Sequence, residues 1–85
     1  MRTFEYTITD NEGIHARPAG ELVKVAKQYN STVLIGRDGR MVDCKKIFGI
    51  MGLGVKKDQV VTFSIEGEDE DQACEAIRAF MSTNL

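Results

Sequence analysis

Apolar and polar residues alternate with a period of two in several short stretches of the chain. Residues 3–9 and 61–65 show this alternation clearly, and the strand predicted from the second stretch ends at Gly67. Such a period is typical of β-strands that bury one face. Between them, an Asp38-Gly39 pair separates two further strand-like runs at 32–35 and 41–44. Because Asp-Gly favours a tight two-residue turn, these runs are predicted to form a hairpin.

Apolar residues recur at helical spacing in the segment that follows the first predicted strand. They occupy one face of residues 16–29, and charged residues fill the other face, which predicts an amphipathic helix. Pro18 locates its start, because a proline ring is tolerated only in the first turn, where its missing N–H has no partner within the helix. We therefore expect the helix to begin at about His15 to Arg17.

Two more helices are predicted in the second half of the chain. Residues 47–54 are too rich in glycine for a strong strand, and Gly54 suits the left-handed residue that ends a short helix. A longer helix is predicted after the acidic run 69–71, since carboxylates are favoured at a helix start. Asp69, with Gln72 three residues later, resembles a capping box. We therefore interpret the acidic run as helix-start electrostatics rather than as a metal site.

The predicted order of elements is β-α-β-β-α-β-α. Helices that each offer one apolar stripe to a sheet of alternating strands imply a two-layer sandwich of the α+β class. With 85 residues, the chain has room for a single domain over residues 1–85, which excludes a two-domain enzyme. A domain of this size has little core to spare for a deep catalytic cavity, so we expect any chemistry to take place at the surface.

Composition narrows the possible functions. Eleven Lys and Arg against thirteen Asp and Glu give a formal charge of −2, so the chain has no overall positive field to attract nucleic acid. No apolar run is long enough for a membrane span, and the first residues lack the apolar stretch of a signal peptide, which makes the cytoplasm the expected location. We therefore expect no nucleic-acid partner and no membrane insertion.

The cysteine and histidine contents limit metal and redox chemistry. Cys44 and Cys74 match no metal-ligand spacing, and we expect both to be reduced, buried, small apolar residues. His15 is the one histidine in the chain, which excludes a site with several histidine ligands. We accordingly expect no metal and no cofactor.

That histidine lies in the segment Gly13-Ile14-His15-Ala16-Arg17-Pro18-Ala19-Gly20, at the expected N-cap of the first helix. Ser, Thr, Asp or Asn fill this position far more often. The backbone N–H groups of Ala16 and Arg17, in the first turn, are expected to point outward and to favour an anion such as phosphate. Arg17 adds a guanidinium whose geometry matches phosphate oxygens. The segment therefore predicts a nucleophilic imidazole beside an anion site.

Other interpretations of the segment use fewer of its residues. In the simplest of them, His15 closes a surface loop and Arg17 is a solvated charge. A serine-type triad lacks its cluster of acid, base and nucleophile, and an acid–base hydrolase lacks an obvious pair of carboxylates in a cleft. Covalent phosphoryl transfer through a ring nitrogen is the hypothesis that uses the glycine, the histidine, the arginine and the proline together.

The segment GIHARPAG, together with KKIFGIMGLGV and GEDEDQA further on, resembles the HPr phosphocarrier family of the bacterial phosphoenolpyruvate-dependent sugar phosphotransferase system. The similarity covers essentially the whole chain. It implies an open-faced β-sandwich, in which three helices lie on one face of a four-stranded antiparallel sheet. It also implies that His15 accepts a phosphoryl group on Nδ1 from phosphorylated enzyme I and passes it to the IIA component of a sugar permease, while Arg17 contacts the phosphoryl oxygens.

An apolar group on the short second helix fits the same hypothesis. Ile47, Phe48 and Met51 lie on one side of the predicted helix, and Ile50 and Leu53 lie on the other. All five could pack inward. The resemblance instead implies that the outer three dock against both partners, beside Gly20. Nothing in the sequence demands more than a monomer. Lysines could surround this group and steer it to acidic partners; the candidates are Lys24, Lys27, Lys45 and Lys46.

Two residues depart from the family pattern. Many members carry a serine, phosphorylated by a regulatory kinase, where this chain has Lys46. A lysine cannot serve as that switch, so we expect no response to such a kinase at this position. Relatives commonly have a neutral polar residue where this chain has Glu12. A carboxylate there would repel a phosphorylated His15 at short range, or it points to solvent.

Two further functions are weighed against the phosphoryl carrier. The chain could be a domain of the same fold that regulates a partner by binding alone, with Lys46 and Glu12 as signs of divergence. It could also be a small RNA-binding module, but the acidic charge balance and the lack of exposed strand aromatics at a stacking spacing argue against this. The sequence therefore favours a carrier that has no turnover of its own.

Overall fold

The computed structural model describes residues 1–85 and contains four strands and three helices. The strands are β1 (Arg2–Thr7), β2 (Thr32–Arg37), β3 (Arg40–Asp43) and β4 (Val60–Glu66). The helices are α1 (Ala16–Lys27), α2 (Ile47–Gly52) and α3 (Glu70–Asn84). The predicted order β-α-β-β-α-β-α is confirmed. None of the three helices is long and apolar enough to cross a lipid bilayer.

All strand pairs in the sheet are antiparallel, and the strands lie in the order β1-β4-β2-β3. β2 and β3 form the predicted hairpin, and both residues of its turn have positive φ, at 55° for Asp38 and 84° for Gly39. β4 lies between β1 and β2, so the chain crosses over through α1 and through α2. The open-faced sandwich of the α+β class is thus confirmed.

A single core fills the space between the sheet and the helices. Phe63 lies at its centre, on β4, and is fully buried. Its ring stacks on that of Phe4 in β1, with 4.9 Å between the ring centroids. The guanidinium of Arg78 in α3 lies over the Phe4 ring, with Cζ 4.5 Å from the centroid. These contacts fix α3 against the two adjacent strands.

Both cysteines belong to this core, as predicted. Cys44 and Cys74 are free and fully buried. Burial raises the pKa of the Cys44 thiol to about 12, so this thiol stays protonated near neutral pH. Because the thiolate is the reactive form, Cys44 is a packing residue.

The start of α3 differs from the prediction. The capping box of Asp69 and Gln72 is wrong, because the Asp69 side chain makes no capping hydrogen bond to its own helix. The carboxylate instead accepts hydrogen bonds from the N–H groups of Asn30 and Ser31 and from the Ser31 hydroxyl. Glu70 reaches back and accepts from the Gly67 N–H at 3.1 Å. Asp69 thus ties the connection between α1 and β2 to the start of α3.

This tie makes the stability of the fold depend on pH. The Ser31 hydroxyl and then the Asn30 N–H hold the pKa of Asp69 below its usual value of 3.8. A carboxyl with a depressed pKa stabilises the fold fully above its unfolded-state pKa, and this contribution is lost as the pH falls through the folded-state value. We expect the Asp69→Asn variant to unfold at a lower temperature than the wild type at pH 6, and the gap to narrow between about pH 5 and pH 2.

Thermal unfolding followed by circular dichroism at several pH values measures this gap. Asp71→Asn is the matched control, since Asp71 is exposed and pairs only with Arg2 at the surface. A gap between wild type and Asp69→Asn that stays constant down to pH 2 would contradict the role given to Asp69.

Candidate functional site

Helix α1 begins where Pro18 predicts, and His15 is its N-cap residue. The backbone of His15 is extended, with φ −101° and ψ −177°, and its side chain makes no capping hydrogen bond. Its carbonyl accepts the Ala19 N–H at 3.0 Å. The N–H groups of Ala16 and Arg17 have no acceptor within the protein. These two donors lie at the positive end of the helix and are available to an anion, as the sequence predicts.

The loop that carries His15 is held from two directions. Gly13 has a φ of +70°, and a Cβ at this position would lie 2.2 Å from the carbonyl oxygen of Val55, so a side chain cannot fit. The next residue, Ile14, donates its N–H to the same Val55 carbonyl at 3.1 Å. On the other side, the N–H groups of Thr9 and Asp10 donate to the carbonyl of Leu85. His15 therefore stands on a fixed loop.

An open cavity of about 310 Å³ lies at this end of α1. Its lining consists of Asp10, His15, Arg17, Pro18, Glu21 and Asn84. The His15 side chain is 37% exposed, so the ring is accessible without any movement of a lid. The side chain of Arg17 is also exposed and forms no ion pair with any carboxylate of the chain. The cavity thus combines a free cation, free N–H donors and an accessible imidazole.

A larger open groove lies away from this loop, along α3. It has a volume of about 620 Å³ and is lined by Tyr29, Asp71, Gln72, Glu75, Ala76 and Ala79. It contains two carboxylates and neither a histidine nor a cation. Because this groove offers a phosphate neither a cation nor a nucleophile, the smaller cavity beside His15 is the candidate site.

Two carboxylates approach the ring of His15. Glu12 Oε2 lies 3.5 Å from Nε2, and Asp10 Oδ1 lies 3.8 Å from the same nitrogen. The sequence left open whether Glu12 faces the ring or the solvent, and the structure places its carboxylate beside the ring while 75% of the side chain stays exposed. Asp10 was missed by the sequence analysis. Its signal was a second carboxylate in the turn Asp10-Asn11-Glu12-Gly13, which folds back toward the histidine.

Helix α2 presents its apolar residues on two sides, as predicted. Ile50 and Leu53 are buried in the core. Phe48 is 89% exposed, Met51 is 38% exposed and Ile47 is half-buried. We call Ile47, Phe48 and Met51 the apolar patch. An exposed phenylalanine beside an exposed methionine is typical of a surface that contacts a partner.

The apolar patch adjoins α1 through a glycine. A Cβ added to Gly20 would lie 3.7 Å from Cδ1 of Ile47, so the two helices are close at this point. Arg17, Gly20, Lys24 and Lys27 follow one another at spacings of three or four residues and therefore share one face of α1. Lys24 and Lys27 are exposed. The structure thus brings together the histidine end of α1, a row of cations and the apolar patch.

Lys45 and Lys46 differ in their surroundings. Lys45 is only half-exposed, and its ammonium donates to the carbonyl of Tyr29 at 2.8 Å, just beyond the end of α1. A cation at a helix C-terminus is stabilising, so Lys45 has a local structural role. Lys46 is exposed and is the N-cap residue of α2, where its side chain makes no capping hydrogen bond.

Comparison with known proteins agrees with this geometry. Residues 2–83 match the model of the PTS-HPr family, described as the HPr component phosphorylation site of the phosphotransferase system. The chain is 40% identical over 82 residues to the phosphocarrier protein HPr of Lysinibacillus sphaericus, an alignment that covers 96% of this chain and 93% of that protein.

Solved structures show the same similarity. The crystal structure of HPr-C-His from Thermoanaerobacter tengcongensis superposes with a TM-score of 0.93 at 36% identity, and the alignment covers 98% of this chain and 93% of that one. The histidine-containing phosphocarrier protein of Mycoplasma superposes with a TM-score of 0.93 at 34% identity, and the alignment covers 96% of this chain and 93% of that one. The chain with this half-exposed histidine at the start of α1 therefore belongs to the HPr family of phosphocarrier proteins.

Proposed function

We propose that His15 carries a phosphoryl group between phosphorylated enzyme I and the IIA component of a sugar permease, in the cytoplasm. The observation that supports this most directly is the half-exposed imidazole beside two N–H groups that have no acceptor, those of Ala16 and Arg17. Neutral imidazole is a good nucleophile, and free N–H groups at a helix start favour phosphate oxygens. A fold without an enclosed pocket suits a protein that meets two partners in turn.

In the proposed step, the lone pair of His15 Nδ1 forms a bond to phosphorus. The bond between phosphorus and the donor group of enzyme I breaks, and its electron pair stays on the donor. The Arg17 guanidinium and the N–H groups of Ala16 and Arg17 stabilise the negative charge on the phosphoryl oxygens during the transfer. In the transfer to the IIA component, a nucleophile of that component bonds to phosphorus. The phosphorus–nitrogen bond then breaks, and its electron pair returns to Nδ1 of His15.

The test is incubation with enzyme I and labelled phosphoenolpyruvate. We expect one phosphate per chain that is stable in base and labile in acid, the behaviour of a phosphorus–nitrogen bond, and peptide mapping that places it on His15. No uptake, or a phosphate on another residue, would overturn the proposed function. If the chain takes up no phosphate, and the His15→Ala variant binds a partner as well as the wild type does, the alternative of a regulatory domain that acts by binding alone is supported.

We further propose that the apolar patch and the α1 cations form the docking surface for both partners. The patch lies next to Gly20 on the same side as Arg17, so a protein that covers it also reaches the His15 end of the helix. Methionine adapts to different shapes, which suits a surface that meets two partners. Lys24 and Lys27 would steer acidic partners toward it.

Truncating the patch is expected to weaken docking. We expect Phe48→Ala and Met51→Ala each to raise the KM of enzyme I for this chain by roughly tenfold, since truncating an exposed anchor at an interface costs about 1–2 kcal/mol. Met41→Ala is the matched control. Met41 is also 38% exposed, but it alternates with Val42, which faces α2, and so lies on the open face of the sheet. Equal effects of Met41→Ala and Met51→Ala on the KM would contradict this docking surface.

A further inference from the structure

Glu12 and Asp10 together face a single nitrogen of His15. The nearest approaches are from Nε2 to Glu12 Oε2, at 3.5 Å, and from Nε2 to Asp10 Oδ1, at 3.8 Å. Asp10 Oδ1 also accepts the Glu12 N–H at 2.8 Å, so the two residues are coupled through the backbone of the loop. We call Asp10 and Glu12 the carboxylate pair.

A neutral imidazole carries one proton, which is on either Nδ1 or Nε2. The nitrogen that faces an acceptor holds the proton, and the other keeps its lone pair. A carboxylate is an acceptor only, so a pair of them beside Nε2 favours the Nε2–H form and turns that edge of the ring toward the loop. The lone pair then remains on Nδ1.

We propose that Glu12, supported by Asp10, is a positioning residue that accepts the Nε2–H of His15 and so presents the Nδ1 lone pair to the incoming phosphorus. This inference rests on the proposed function, in which Nδ1 is the nucleophile. It also assigns a role to the Glu12 carboxylate, whose direction the sequence left open. The charge of Glu12 lies at the Nε2 edge of the ring, whereas the phosphoryl group is taken up at Nδ1.

The carboxylate pair has a second effect during the transfer. When Nδ1 bonds to phosphorus and Nε2 keeps its proton, the ring acquires a positive charge. A carboxylate hydrogen-bonded to the other ring nitrogen stabilises an imidazolium of this kind, as in the serine-protease triad. Distances of 3.5 and 3.8 Å are longer than a formed hydrogen bond, and contacts in a free catalytic site commonly shorten when the partner docks.

The first arm of the test measures the ring without any phosphate. Nitrogen-15 NMR of unphosphorylated protein at alkaline pH distinguishes a protonated from an unprotonated ring nitrogen. We expect the wild type to show Nε2 protonated almost completely. The Asp10→Asn/Glu12→Ala double variant loses the nearer acceptor and keeps only a neutral carbonyl at residue 10, where the wild-type oxygen lies 3.8 Å from Nε2, so we expect its signals to shift toward the mixture of a free imidazole. Asp10→Asn/Glu12→Gln, which keeps a side-chain carbonyl as acceptor at residue 12, should restore the wild-type signals.

The second arm measures phosphorylation by enzyme I. We expect the Asp10→Asn/Glu12→Ala variant to lose roughly two- to tenfold in kcat at an unchanged KM, the range expected for one half-exposed hydrogen bond. The variant with Gln at residue 12 should recover most of this loss. Glu75→Ala is the matched control, because Glu75 is an exposed carboxylate in the separate groove along α3, away from the His15 cavity.

Each outcome decides the proposal. Unchanged ring signals in the Asp10→Asn/Glu12→Ala variant overturn it, whatever happens to phosphate uptake. Altered signals with an unchanged kcat overturn the role in transfer. An equal loss in Glu75→Ala shows a general effect of charge and overturns it too. A wild type that takes up no phosphate overturns the proposed function and the role in transfer, while the ring signals still report whether the carboxylate pair holds the Nε2 proton.

Discussion

The His15→Ala variant is expected to take up no detectable phosphate from enzyme I and phosphoenolpyruvate. The chain contains no second histidine that could replace it. The fold should survive the change, because the His15 side chain makes no capping hydrogen bond and packs at the surface rather than in the core. Thermal unfolding should show a stability within about 1 kcal/mol of the wild type, as for loss of a weak N-cap residue.

The Arg17→Ala variant distinguishes the role of the guanidinium from that of the phosphate acceptor, His15. This variant keeps the imidazole but loses the guanidinium, so we expect phosphate on His15 to form about 10²- to 10³-fold more slowly, as when one preorganised donor is removed from a charged transition state. Phosphate uptake by folded His15→Ala at the wild-type rate would show that His15 is not the acceptor. A wild-type rate for Arg17→Ala would show that the guanidinium does not contact the phosphoryl group.

Replacing Phe63 with alanine is expected to have the largest effect on stability. The side chain is fully buried on the central strand β4 and stacks on Phe4, which in turn contacts Arg78 of α3. Truncating a buried phenylalanine costs about 3–5 kcal/mol, through lost burial and the cavity left behind. Small domains have a total stability of about 5–15 kcal/mol, so a large part of it would be lost.

Chemical denaturation measured for two phenylalanine variants tests this expectation. Phe48→Ala removes the same side chain from a position that is 89% exposed, so we expect its free energy of unfolding to stay within about 0.5 kcal/mol of the wild type. The difference between the two free energies of unfolding thus shows that Phe63 belongs to the core and that Phe48 does not. Similar losses for Phe48→Ala and Phe63→Ala would mean that Phe48 packs inward in solution.

The elements were predictable because their signals are local. The alternation at 61–65 corresponds to the buried residues of β4, and Pro18 placed the start of α1 correctly, since a missing N–H is tolerated only there. For the same reason, the N–H groups of Ala16 and Arg17 could be expected to be free. Helical spacing also gave the two sides of α2, while the resemblance to the phosphocarriers indicated which of them stays exposed.

The contacts that the sequence did not predict join residues far apart in the chain. Asp is a common helix-capping residue, but the Asp69 carboxylate accepts hydrogen bonds from Asn30 and Ser31 instead. These two residues reach it only once β2 pairs with β4. Lys45 reaches the end of α1 in the same way. The direction of Glu12 depends on the left-handed conformation of Gly13 against Val55, and no local spacing encodes that contact.

The contact between Gly20 and Ile47 has a consequence for the rate of the proposed phosphoryl relay. Because it places the apolar patch and the His15 end of α1 on one continuous surface, the phosphoryl donor and acceptor would cover the same area and could not be bound together. Each cycle then needs two complete dissociations. Tighter binding to either partner would lengthen its residence time and slow the flow of phosphate, so selection on this surface should favour fast release over high affinity.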